Sequence, residues 1–123
     1  MQSDVRAVLQ YVPSFRGKIF IVALNAARMP ELALAEALLD LTALQQVGVQ
    51  LVVVSTGNGE AKIDHLLIDG ELKWQAASLD VGKVGEILNR GQLALIESPG
   101  LPVLGDELVA FAAGLGAAKL ISL

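Results

Sequence analysis

The sequence predicts a three-layer αβα domain on a mainly parallel β-sheet, with a β-hairpin projecting from it. Apolar runs of strand length, "IFIVAL" (19–24), "VQLVVVS" (49–55), "LALIES" (93–98) and "KLISL" (119–123), alternate with segments of helical character. Repeated strand–helix–strand units imply parallel strands joined by right-handed crossovers, with helices on both faces. The runs are also continuously apolar, as expected of strands covered on both sides. No internal repeat or low-complexity linker divides the chain, and residues 1–123 read as one domain.

Each element has a local reason. Residues 1–13 carry a short N-terminal helix: Ser3 can cap it, Asp4 sits in its first turn, and Val5, Val8 and Leu9 share a face before Pro13 ends it. Phe15-Arg16-Gly17-Lys18 turns the chain into the first strand. Pro30 suits the first turn of a helix over 31–47, whose only charges beyond its first residue are Glu36 and Asp40. Leu34, Leu38 and Leu41 line one side of that helix and Leu39 lies beyond them, so the helix is expected to be covered on more than one side. Gly48 ends it and the second strand follows. "HLLIDGELKWQ" predicts a hairpin over 66–75, because Asp69-Gly70 is a favoured pair for a type I′ turn. A helix over 81–89, the strand "LALIES", a helix over 106–115 and the strand "KLISL" complete the order.

Composition excludes several functions. The hydrophobic fraction is 54% and only 18% of residues are charged, an excess that suits a doubly covered sheet, a further subunit, or both. A net charge of −4 gives no electrostatic footprint for nucleic acid or an anionic membrane. With no cysteine there is no disulfide, thiolate catalyst or cysteine zinc site. His65 is the single histidine, so no His–His metal set can form, and no metal is expected. No apolar run approaches a membrane span, and the N-terminus does not read as a signal peptide, so a cytoplasmic location is expected.

Ligands of open α/β sheets sit beyond the carboxyl ends of the strands. Here the first exit offers Asn25, the second Ser55, Thr56, Gly57, Asn58 and Gly59, and the third Asp106. A glycine-bearing loop after "LVVVS" can present backbone amides to an anion, though Gly57 and Gly59 would equally serve a bare turn. Asp106 can equally cap a helix. Trp74 reads as a packing or partner contact. Neither a Walker loop nor a dinucleotide fingerprint is present, and no cofactor is expected.

In order, "AVLQYVPSFRGKIFIVALNA", "LLDLTALQQVGVQLVVVSTGNG", "EILNRGQLALIESPG" and "DELVAFAAGLGAAKLISL" resemble the N-terminal half of the amino-acid kinase family, in its acetylglutamate kinase and acetylglutamate synthase branch. The resemblance implies the family's N-terminal lobe, a link to arginine biosynthesis, and arginine or acetylglutamate as ligand. The departures fall on the family's working residues. Its first strand ends in Lys-x-Gly-Gly, but Ala23 stands at the lysine position and Asn25 and Ala26 at the glycines. Its His-Gly-Gly-Gly loop reads Ser55-Thr56-Gly57-Asn58, and Gly105 stands at the catalytic aspartate, with Asp106 one residue later. The segment between "STGNG" and "LDVGKVG" is short, and nothing here matches the nucleotide-binding C-terminal half. The resemblance thus implies no catalytic residues. It points to a non-catalytic regulatory or oligomerisation module, with a homo-oligomer, an acetyltransferase domain or the remainder of a kinase-like chain as partner. The alternatives are a stand-alone protein binding a small metabolite and, less in keeping with these departures, an active acetylglutamate kinase.

Overall fold

A computed structural model describes residues 16–25, 28–56, 73–97 and 106–122. Five strands, β1 (Ile19–Asn25), β2 (Gln50–Thr56), β3 (Trp74–Ala77), β4 (Leu93–Glu97) and β5 (Lys119–Ser122), form one sheet in the order β3-β4-β2-β1-β5. Every pairing is parallel. Three helices, α1 (Glu31–Gln46), α2 (Val81–Asn89) and α3 (Asp106–Leu115), connect them. The predicted N-terminal helix lies outside the described residues, as does the hairpin apart from its last residues.

Alternation along the strands builds two cores. Phe20, Val22 and Leu24 of β1, with Leu51, Val53, Leu93 and Leu95, pack under Leu34, Leu38, Leu41 and Leu44 of α1. Ile21 and Ala23, with Val52, Val54, Ala94 and Ile96, pack under Val84, Ile87 and Leu88 of α2 and Leu108 and Phe111 of α3. α1 therefore lies on one face and α2 with α3 on the other, giving the three predicted layers.

The helix ends follow local chemistry. Pro30 takes the cap position of α1, one place earlier than its predicted place in the first turn, and no side chain caps this helix. Asp80 caps α2 by accepting from the Lys83 amide at 3.1 Å. Beyond α1, Gly48 has φ +97°, a conformation that favours glycine, and a Cβ there would also stand 2.9 Å from Arg16 Cγ, so the exposed arginine side chain would have to shift.

β3 differs from expectation. The sequence predicts Trp74 and Gln75 at the end of a hairpin arm; they open a fifth strand parallel to β4, with Trp74 in register with Leu93. Two contacts account for a strand that "WQAA" alone would not signal. Leu93 donates its amide to the Lys73 carbonyl at 2.7 Å. The Gln45 side chain, at the end of α1, bonds both backbone groups of Lys73, at 3.1 and 3.4 Å. Trp74 is half-buried and packs against the α1-side core, a packing contact as the sequence suggests.

Candidate functional site

All five strands run the same way, and α1, α2 and α3 each carry the chain back from the end of one strand to the start of the next, so the carboxyl ends of β1 and β2 and the first turns of α1 and α3 lie at one edge of the sheet. Asn25 ends β1, Ser55 and Thr56 end β2, and Asp106 opens α3. Gly57, Asn58 and Gly59 lie outside the described residues, so the loop they form is not placed.

The register separates the candidates by face. Leu24 pairs with Ser55, and Asn25 with Thr56. Paired residues of adjacent strands share a face and successive residues alternate. Ser55 therefore turns toward α1, in line with Val53 and Leu51, while Asn25 turns toward α2 and α3, in line with Ala23 and Ile21. Asp106 belongs to the Asn25 side. It is the first helical residue of α3 and is exposed, with Glu107 beside it, where two acidic side chains complement the helix dipole.

Two polar atoms at this edge are anomalous. Ser55 is 2% exposed, and its Oγ has no hydrogen-bond partner among the described residues. Asn25 Oδ1 is likewise buried and without a partner there. Leaving a buried polar group unsatisfied costs about 1–3 kcal/mol, so each of these atoms calls for a partner, an ordered water or a bound ligand among the candidates. Both can bond a ligand, but neither carries charge. Ala23, two residues before the end of β1, is fully buried against the apolar α2–α3 core, so the position that the kinase resemblance gives to a phosphate-facing lysine is packing here. Among the described residues, no group of three or more His, Asp or Glu side chains is placed to hold a metal ion, and no helix is long and apolar enough to cross a membrane.

Sequence inspection missed a second polar feature. Lys83 and Glu86 of α2 and Arg90, which follows its last residue, face Gln75, Ala76 and Ala77 of β3 across an open cleft. The available signal was their spacing at i, i+3 and i+7, which sets all three on one helix face.

No family model matches the sequence, and no curated protein matches it. Among solved structures, N-acetylglutamate synthase from Neisseria gonorrhoeae, complexed with coenzyme A and N-acetyl-glutamate, superposes over 100% of this chain and 45% of its own, with TM-score 0.76 and 11% identity. The same enzyme complexed with coenzyme A and L-arginine gives TM-score 0.75 at 12% identity, over 100% of this chain and 47% of its own. The likeness is one of fold. The all-parallel sheet, covered by helices on both faces, is consistent with an amino-acid-kinase-like fold. This chain spans less than half the length of either structure.

Proposed function

We propose that this chain is a non-catalytic, amino-acid-kinase-like module that serves regulation or assembly in arginine biosynthesis, and that it binds a small metabolite at the carboxyl edge of its sheet. One observation carries the non-catalytic reading. At the first strand exit, where phosphoryl transfer needs a cation, the chain has Ala23 sealed in an apolar core and the neutral Asn25 beyond it. Binding is supported by the unpartnered Ser55 Oγ and Asn25 Oδ1 at that edge. The solved structures of similar fold hold N-acetyl-glutamate in one case and L-arginine in the other, and these two are the ligands to try first.

An assembly role is supported by α1. Leu32 is 71% exposed and Leu39 is 69% exposed, one above the other on the helix face away from the sheet, while the opposite face is buried. The chain works as a homo-oligomer, or joined to a further polypeptide such as an acetyltransferase domain. Calorimetric titration with L-arginine and with N-acetylglutamate, alongside light scattering, tests the proposal. Saturable heat with either ligand, on a species larger than one 12.9 kDa chain, is the expected result. A monomer that binds neither contradicts it. A monomer that binds one of them would favour a stand-alone metabolite-binding protein.

A further inference from the structure

Away from the carboxyl edge, β3 and α2 bound an open cleft of about 320 Å³. That volume is within the range of small-molecule sites. Ile87, only 4% exposed, gives it an apolar back, and Ala76 and Ala77 leave it room because their side chains stop at Cβ. Its rim is rich in hydrogen-bond donors. Lys83 and Arg90 stand two helical turns apart, roughly 10 Å along the axis of α2. Arg90 Nη1 donates to Gln75 Oε1 at 3.4 Å, which reaches the guanidinium across toward β3 and leaves the Gln75 Nε2 protons to donate elsewhere. Ser78 adds a hydroxyl. Glu86, between the two cations, is the one acidic group on the lining, and none of the three charged residues is in an ion pair among the described residues.

We infer that this cleft is a second binding site, for a small dicarboxylate. Two separated cations over an apolar floor of Ile87, Ala76 and Ala77 match two carboxylates joined by methylenes, with Glu86 the one group on the lining that opposes them. Arg90 and Gln75 present the planar array of donors that suits one carboxylate, and Lys83 with Ser78 meets the other. A compact, highly charged anion such as phosphate fits less well, because it would engage one cation only and would lie close to Glu86. The cap of α2 has no part in this, since Asp80 already accepts from the Lys83 amide.

The test is an amide-resolved NMR titration of the full chain with glutarate, with inorganic phosphate at matched ionic strength as the comparison. Saturating shifts confined to residues 75–78 and 83–90, weaker with phosphate, are expected. Affinity should fall about tenfold or more in the Lys83→Gln/Arg90→Gln double variant and rise in Glu86→Gln. All three side chains are exposed, so the variants should keep the fold, and their own spectra report whether they do. Absent shifts, shifts that persist in the double variant, or equal shifts with phosphate would overturn the assignment.

Discussion

Asn25 and Ser55 end neighbouring strands one register step apart and turn to opposite faces of the sheet, because Leu24 pairs with Ser55 and Asn25 with Thr56. One ligand cannot meet both side chains from a single side. It must lie across the edge of the sheet, or take one residue and leave the other. A kinase cradle aims cations and amides at one phosphoryl group, whereas these two described polar side chains are divided between two layers.

Ser55→Ala should stabilise the unliganded protein. The hydroxyl is buried in a largely apolar setting with no partner among the described residues, so removing it relieves a desolvation cost. Urea unfolding should show a gain of about 1 kcal/mol. A loss of similar size would mean that the hydroxyl is already satisfied within the fold.

Ala23→Lys, the substitution that would restore the family's lysine, should instead damage the fold. Ala23 pairs with Val54 on one side and Ser122 on the other, and it is sealed between Ile21, Leu108 and their neighbours. Among the described residues an ammonium there meets only apolar neighbours and no counter-charge, and a loss of about 3 kcal/mol or more is expected in thermal or urea unfolding. Wild-type stability in this variant would show that the side chain can reach solvent, and would reopen the phosphate-facing role.

Gln45→Ala should loosen β3 selectively. The Gln45 amide holds both backbone groups of Lys73, immediately before a strand in which no residue is fully buried. Hydrogen exchange at Trp74–Ala77 should accelerate while β1 and β2 keep their protection, with a global cost of about 1 kcal/mol. Uniform acceleration across the sheet would show that β3 is not an independent edge unit.

This dependence marks the limit of what the sequence could disclose. "IFIVAL" and "LVVV" announce themselves because strands buried on both faces must be apolar throughout, and every residue of Phe20–Leu24 and Leu51–Val54 is buried. "WQAA" carries no such pattern. It becomes a strand through Leu93 and Gln45, contacts that are remote in sequence. The candidate site was legible to the same degree. The strand exits could be located from the apolar runs, but the face that each exit residue presents depends on register. Nothing in "ALNAA" or "VVVST" states that register, since Asn25 and Ser55 could share a face after a slip of one residue. On α1 the row of Leu34, Leu38 and Leu41 was legible and is buried, whereas the outer leucines Leu32 and Leu39, expected to be covered as well, are exposed in this chain.

Those leucines supply a paired prediction. Leu41→Ala, in the buried row of α1, should cost about 2–5 kcal/mol. Leu39→Ala, on the outer row, should change monomer stability by no more than about 0.5 kcal/mol. Leu39→Glu should lower the mass seen by light scattering if the outer row is a subunit contact. An unchanged oligomer would place that contact elsewhere.

The most direct test of the central claim, that this fold does not transfer phosphoryl groups, is a coupled ADP-release assay with N-acetylglutamate on the wild type and on Asp106→Asn. Removing one preorganised transition-state partner typically costs about 2.7–4 kcal/mol, and here the lysine position is a buried alanine. Both proteins should release ADP at the background rate. Turnover above background in the wild type, abolished by Asp106→Asn, would contradict the account.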